Sequence, residues 1–148
     1  MTTVVDDLAT SLFALEPGAR STAAMTRRIT RAIVDWALAR GWYPRTEARV
    51  DVAIAGMVQA PLGFVDVIVR RSGDQPDLAI EIDSTDKPWS VAKLRHAAAA
   101  GMLAIWVRWG DDEWAGIYDD VDVIQLRHSR HAYKPVSGDP QVSLWTER

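Results

Sequence analysis

The sequence predicts an α/β fold in which a mixed central sheet is flanked by helices, in the order α-β-β-β-α-β. Two observations support this order. Apolar residues recur at helical spacing from Thr22 to Gly41 and again from Ser90 to Gly101, whereas short runs rich in Val and Ile lie before and after the second segment. The second segment is followed closely by another apolar run, which favours a parallel strand reached by a right-handed crossover.

The first core helix is predicted to begin at Thr22, with Ser21 or Thr22 as its N-cap, and to end at Gly41. Residues 1–20 precede it and are predicted to form an arm or a short helix that ends at Pro17-Gly18. The face of the core helix that is predicted to be buried carries Met25, Ile29, Ile33 and Trp36, and the opposite face carries Arg27, Arg28 and Arg31.

Three strands are predicted next, followed by a helix and further strands. The strand candidates are Glu47–Ala55, Phe64–Arg71, Leu78–Asp83, Ala104–Trp109 and Gly116–Leu126, with 56–63 as a connection. Pro88 and Ser90 are predicted to open the intervening helix, with Ser90 as its N-cap, and the helix ends at Gly101. The chain is therefore predicted to be a single domain of residues 1–148, with a core at about 22–109 and a C-terminal extension at 110–148.

The composition restricts the class of protein. The chain has 148 residues, a formal net charge of −3 and a pI of about 5.5, so its overall field does not attract a polyanion. A nucleic-acid partner would need a local basic patch. The absence of cysteine excludes disulfides and all Cys-based metal or nucleophile chemistry. An acidic N-terminus without a signal-peptide pattern, and no apolar run of about 20 residues, predict a cytoplasmic protein without a membrane partner.

Two carboxylates interrupt a strand that is otherwise apolar, in the sequence LAIEID. Side chains alternate along a strand, so Glu81 and Asp83 share one face, about 6.6 Å apart, while the other face is apolar. In the preceding strand Asp66 interrupts one face in the same way, and if the strands are neighbours it lies about 4.8 Å from the Glu81 strand. The sequence therefore predicts that three acids converge at one end of the sheet.

Carboxylates this close repel each other, at a cost of about 4 kcal/mol for two charges about 4 Å apart at an effective dielectric constant of about 20. A proton, a basic side chain or a divalent cation would offset the repulsion. Oxygen ligands without Cys or paired His favour Mg²⁺ or Mn²⁺, which suits phosphodiester hydrolysis because the ion binds a phosphate oxygen and activates water. The alternative is that the acids lie on a solvated face or are neutralised by Arg70, Arg108 or Lys93, without any chemistry.

The pattern GFVDVIVRR, then LAIEIDSTDKPWSVAKL, then AIWVRW resembles the PD-(D/E)XK nuclease superfamily, which has the restriction-endonuclease-like fold. The likeness covers about Thr22 to Trp109 and includes the helix, three-strand, helix, strand order. Within the superfamily, the EID strand end is most similar to small domains related to very-short-patch repair endonucleases. The resemblance implies cleavage of DNA or RNA with Mg²⁺.

Taken residue by residue, the resemblance implies that Asp66 is the first acid of the motif and Glu81 the second. Two residues after Glu81 the family has lysine, whereas this chain has Asp83. The family's lysine orients water and offsets charge in the transition state. Some members carry it on the next helix, so Lys93 is the first candidate here and Lys87, in the connecting loop, is the second.

Other candidate residues have weaker support. The resemblance implies an acid on the first helix, where Asp35 is available. Asp51 is an alternative first acid, more remote in sequence from Glu81. His96 lies one turn after Lys93 and would approach the same site, although a surface position is the simpler interpretation. His128 and His131 have no evident third ligand.

For contact with DNA, we expect arginines to flank the acids and bind phosphates. The candidates are Arg27, Arg28, Arg31, Arg70, Arg71 and Arg95. A small acidic nuclease domain also leads us to expect a partner, as a homodimer or a larger complex, and Trp114 and Trp145 are candidates for that interface.

Two hypotheses follow from the sequence. In the first, the protein is a Mg²⁺-dependent nuclease in which Asp66, Glu81 and Asp83 hold the metal and Lys93 orients water or stabilises charge. In the second, motivated by the acid at position 83, the chain is a catalytically inactive nuclease-like domain that serves as a binding or assembly subunit.

Overall fold

The computed structural model describes residues 2–15, 21–49, 64–85, 87–110, 118–127, 130–134 and 146–147. Within these ranges the chain forms three α-helices and seven β-strands. The helices are α1 (Val4–Phe13), α2 (Thr22–Ala39) and α3 (Pro88–Ala99). The strands are β1 (Tyr43–Arg49), β2 (Phe64–Arg70), β3 (Leu78–Asp83), β4 (Leu103–Trp109), β5 (Val121–Leu126), β6 (Arg130–Lys134) and β7 (Thr146–Glu147).

The described strands form one mixed sheet in the order β1-β2-β3-β4-β5-β6-β7. Strands β1, β2 and β3 are an antiparallel meander. Strands β3, β4 and β5 run parallel, and α3 forms the crossover from β3 to β4. Strands β5, β6 and β7 are again antiparallel. The predicted α/β class and the order helix, three strands, helix, strand are therefore confirmed.

The helices cover the two faces of the sheet. Helices α1 and α2 pack on one face, in a core that contains Val67, Ile80 and Ile105. Helix α3 packs on the other face, in a second core that contains Ala79 and Trp106. Of the described helices, none combines the length and the apolar character that a membrane span requires. The α3 face is the one that carries the predicted acids, because Glu81 and Asp83 alternate with the apolar residues of β3.

Helices α1 and α2 have the caps that their sequences predict or permit. Ser21 caps α2, with its hydroxyl oxygen accepting from the Ala24 N–H at 3.1 Å, and the predicted apolar face of α2 is buried. Asp7 links the two helices: its carboxylate accepts from the Trp36 indole at 3.2 Å and from Arg40 Nε at 2.6 Å. These contacts hold the pair of helices as one layer under the sheet.

Three predicted boundaries differ from the structure. Helix α3 begins at Pro88 with Lys87 as its N-cap residue, so the prediction that Ser90 caps it was wrong. Proline at the first helical position is pre-organised for a helix start. Ser90 is buried inside the first turn. Strand β1 begins at Tyr43 rather than Glu47, and β5 begins at Val121. The predicted strand residues 50–55, the connection 56–63 and the Pro17-Gly18 turn lie outside the described residues.

Candidate active site

Strands β2 and β3 are joined at the site by a carboxylate. Their described pairing extends from Val69–Leu78 to Val67–Ile80. One step further along, the Ile82 main-chain N–H donates to Oδ2 of Asp66 at 2.7 Å. The Asp66 side chain therefore lies between the start of β2 and the end of β3, where it is held by the backbone of the neighbouring strand.

Glu81 is the buried acid of the site, with only 2% of its surface exposed. Burial raises its pKa to about 8, and the hydrogen bond and negative charge of Asp66 add to the effect; the contact with Lys93 acts in the opposite direction. Removing a carboxylate from water disfavours its charged form, and a second carboxylate beside it does the same. At neutral pH Glu81 therefore keeps its proton beside the Asp66 side chain.

Lys93 joins the two strands to α3. Its ammonium contacts Oε1 of Glu81 and donates to the main-chain carbonyl of Phe64 at 2.8 Å. Its side chain is 12% exposed, so the ammonium is largely withdrawn from water while one side remains accessible. Because α3 begins at Pro88, Lys93 lies in its second turn rather than in the first turn that was predicted.

Asp83 belongs to a second set of contacts on the same face. Its Oδ2 accepts from the Trp106 indole N–H at 2.8 Å, and its Oδ1 pairs with Lys87 Nζ at 3.1 Å. Asp83 is 5% exposed, whereas the Lys87 side chain is 58% exposed. The two lysine candidates therefore contact different acids: Lys93 is bound to Glu81, and Lys87 reaches Asp83 from the surface.

The structure thus brings Asp66, Glu81 and Lys93 together and directs the Asp83 carboxylate to Trp106 and Lys87. In the part of the chain that the structure describes, no group of three or more His, Asp or Glu side chains is placed to hold a metal ion jointly. The donors that adjoin each other are the two carboxylates of Asp66 and Glu81. Since Mg²⁺ is commonly bound by one or two carboxylates, with waters and substrate phosphate as its other ligands, two are enough.

Two residues of this region have contacts that the sequence did not predict. The aromatic content of the chain indicated core filling, yet the Trp106 indole is the hydrogen-bond donor to Asp83. Arg108, fully buried, places its guanidinium 5.2 Å from the centre of the Trp106 ring and lies opposite Asp83 in the register of β3 and β4. Only the parallel register of these strands, which sequence alone does not provide, would have identified this group.

The arginines expected to flank the acids are distributed over the molecule. Arg27, Arg28 and Arg31 lie on α2, which covers the opposite face of the sheet. Arg70 ends β2, about 13 Å along the strand from Asp66. Arg95 pairs with Asp120 at 3.3 Å. The ion pairs that the structure gives to Glu81 and Asp83 are with the lysines Lys93 and Lys87.

Of the remaining candidates, some lie elsewhere in the described structure and others fall outside it. Asp35 is exposed on α2 and pairs with Arg31 at 3.6 Å. His96 is half-buried, one turn after Lys93 on α3. The alternative acid Asp51 and the residues His128, Trp114 and Trp145 lie outside the described residues, and His131 is described only as part of the β6 backbone.

Comparison of the chain with protein-family models, with curated proteins and with solved structures gave no match in any of the three.

Proposed function

We propose that the protein is a divalent-metal-dependent nuclease that hydrolyses phosphodiester bonds in DNA. The observation that carries the proposal is that the Glu81 carboxyl adjoins that of Asp66 and contacts the ammonium of Lys93, on the face of the sheet that α3 covers. Phosphodiester hydrolysis requires oxygen ligands for a hard metal ion, with a positively charged side chain beside them.

The donor set fits Mg²⁺ or Mn²⁺. Asp66 and Glu81 would hold the ion, while Asp83, on the same strand face, is engaged by Trp106 and Lys87. When bound, the ion would polarise a phosphate oxygen and lower the pKa of an attacking water. Glu81 has a further reason to bind a cation, because burial and the neighbouring Asp66 disfavour its charged form and a divalent charge would offset that cost.

Lys93 would stabilise charge on the phosphate. Its ammonium is held by Glu81 and by the Phe64 carbonyl, so it is oriented before substrate binds. Charge that develops on the non-bridging oxygens in the transition state would attract this ammonium more strongly than the ground state does, which is the condition for catalysis. Lys93 would therefore fill the role that the family pattern gives to the residue at position 83.

The family assignment is part of the same proposal. The described order of helix, antiparallel three-strand meander, helix and parallel strand is the order of the PD-(D/E)XK core, and Asp66 and Glu81 occupy its two acidic positions. We accordingly propose the restriction-endonuclease-like fold for this α/β domain, with Lys93 replacing the motif lysine.

The test is metal-dependent cleavage. Purified protein is incubated with single-stranded and duplex DNA and with RNA, in Mg²⁺ and in Mn²⁺, and Glu81→Ala is compared with Glu47→Ala, which removes an exposed glutamate on β1. We expect cleavage by the wild type and by Glu47→Ala, and loss of cleavage in Glu81→Ala or on addition of a chelator. Full activity in Glu81→Ala, or no cleavage by the wild type on any of these substrates, would contradict the proposal.

A second candidate function is a nuclease-like domain that has lost its chemistry and acts as a binding or assembly subunit. The observation that favours it is Asp83, which stands at the motif lysine position and has its carboxylate bound to Trp106 and Lys87. This candidate predicts nucleic-acid or protein binding without hydrolysis, and cleavage that is lost in Glu81→Ala would exclude it.

A further inference from the structure

Four large apolar side chains are prominently exposed in the described part of the chain, and they form two groups. Leu38 and Tyr43, 57% and 67% exposed, lie at the end of α2 and the start of β1. Phe64 and Trp89, 54% and 55% exposed, lie at the start of β2 and the start of α3. The second group is the one at the acid site.

Lys93 connects both aromatic residues to the site. Trp89 precedes Lys93 by four residues in α3, so the two side chains lie on the same side of the helix, with Cβ atoms about 5–6 Å apart. The Phe64 carbonyl accepts from the Lys93 ammonium at 2.8 Å, and Phe64 shares its strand face with Asp66. Both aromatic residues therefore adjoin Lys93, Trp89 one turn before it on α3 and Phe64 through its main-chain carbonyl.

A cation accompanies the rings. Lys87, two residues before Trp89, is 58% exposed and is held beside the site by Asp83. Proteins that bind single-stranded nucleic acid combine positive charge for the backbone with aromatic side chains on which bases stack. In a duplex the base faces are already stacked on each other, so exposed rings of this kind are used by unpaired bases.

The charge of the chain favours the same conclusion. The net charge is −3, the arginines of α2 lie on the opposite face of the sheet, and Arg108, which lies opposite Asp83, is buried. Binding driven by many phosphate contacts is therefore not expected at this site. Affinity must then come from contacts that do not depend on charge, and stacking supplies them.

We infer that Trp89 and Phe64 form a stacking platform for unpaired nucleobases beside the Asp66–Glu81–Lys93 site, and that the substrate is single-stranded DNA. The inference rests on the proposed nuclease function for the chemistry at the acids, but the platform itself is a binding site whose test needs no hydrolysis.

The test measures binding of a fluorescein-labelled oligothymidylate by anisotropy, in the presence of a chelator, so that the result is independent of cleavage. The same oligothymidylate annealed to oligoadenylate is the duplex probe. Trp89→Ala and Phe64→Ala are compared with Tyr43→Ala, which removes an exposed aromatic ring from the other end of the sheet, and with Trp89→Phe, which keeps a ring. Circular dichroism checks that each variant is folded.

We expect the wild type to bind the single strand more tightly than the duplex. Trp89→Ala should weaken single-strand binding between about fivefold and a hundredfold, which corresponds to about 1–3 kcal/mol for one stacked base. Trp89→Phe should retain most of the affinity, and Tyr43→Ala should bind as the wild type does.

Equal binding of single strand and duplex would overturn the inference. Single-strand binding that is unchanged in Trp89→Ala and Phe64→Ala would also overturn it. A changed oligomeric state in Trp89→Ala, without any effect on binding, would have the same consequence. If cleavage still required Glu81, the nuclease proposal would stand without the platform. Single-strand binding that depends on Trp89, in a protein that cleaves nothing, would instead retain the platform and contradict the nuclease proposal.

Discussion

Glu81→Gln should change how the stability of the protein depends on pH. The folded protein raises the pKa of Glu81 from 4.5 to about 8, so it binds this proton more tightly than the unfolded chain does. The free energy of unfolding of the wild type therefore falls as pH rises from about 4.5 to about 8 and is constant above that. Glutamine has the shape of the protonated acid and does not titrate, so this loss is absent from the variant.

The size of the effect follows from the shift. A difference of 8 − 4.5 = 3.5 pH units corresponds to about 5 kcal/mol over the full range, at about 1.4 kcal/mol per unit. Between about pH 6 and about pH 9 the wild type should lose roughly 3 kcal/mol relative to Glu81→Gln, since the loss stops at the folded pKa. A comparison across pH cancels any constant difference between the two side chains.

The assay is urea denaturation followed by tryptophan fluorescence at the two pH values, in a chelator so that no metal competes with the proton. Glu47→Gln makes the same chemical change on an exposed side chain of β1 and should follow the wild type at both pH values. If the difference in unfolding free energy between wild type and Glu81→Gln stayed constant across this range, the burial and the Asp66 contact would not perturb Glu81 as we argue.

Three further predictions concern the same site. Mn²⁺ affinity, measured by calorimetry, should rise with pH up to about 8 and then level off, because a metal must displace the Glu81 proton. An affinity that is independent of pH over this range would contradict the raised pKa of Glu81. Lys93→Met should lower kcat by about a hundredfold to a thousandfold with the fold retained, whereas Lys87→Met, at an exposed lysine, should have a much smaller effect. A larger loss of kcat in Lys87→Met than in Lys93→Met would assign the catalytic role to Lys87. Trp106→Phe removes the indole donor from the buried Asp83 carboxylate and should lower the free energy of unfolding by about 1–3 kcal/mol in urea denaturation, while an unchanged stability would show that Lys87 alone satisfies Asp83.

The alternation of side chains along strands predicted three converging acids, of which the structure brings Asp66 and Glu81 together and directs the Asp83 carboxylate to Trp106 and Lys87. The sequences FVDVIV and LAIEID each place an acid among apolar residues, and strict alternation assigned Asp66 and Glu81 to one face of neighbouring strands. The structure gives these residues adjoining carboxylates. We propose that Lys93 replaces the motif lysine because it lies on the helix that follows β3. A lysine in that role must lie beside the acids, and Lys93 contacts Glu81.

What sequence could not predict depends on contacts between elements far apart in the chain. The partner of Asp83 follows from the register of β3 against β4, which places Trp106 and Arg108 beside the acids. The position of the α2 arginines follows from which face of the sheet that helix covers, and its 3.6-residue period indicates only which side of the helix is buried.

Helix starts depend on local competition between caps. Both Lys87-Pro88 and Ser90 are plausible starts for α3, and in the structure the helix begins at Pro88, with proline at its first helical position. The shift of the helix start by three residues moves Lys93 into the second turn, where the ammonium reaches both Glu81 and the Phe64 carbonyl.

The most direct test of the central claim, that Asp66 and Glu81 together hold a divalent ion, is calorimetric titration of Mn²⁺ above about pH 8, where Glu81 is ionised. The account predicts saturable binding of Mn²⁺ to the wild type and to Glu47→Gln, and its loss in both Asp66→Asn and Glu81→Gln. Binding that persists unchanged in these two variants, or a wild type that binds no Mn²⁺ under these conditions, would contradict it.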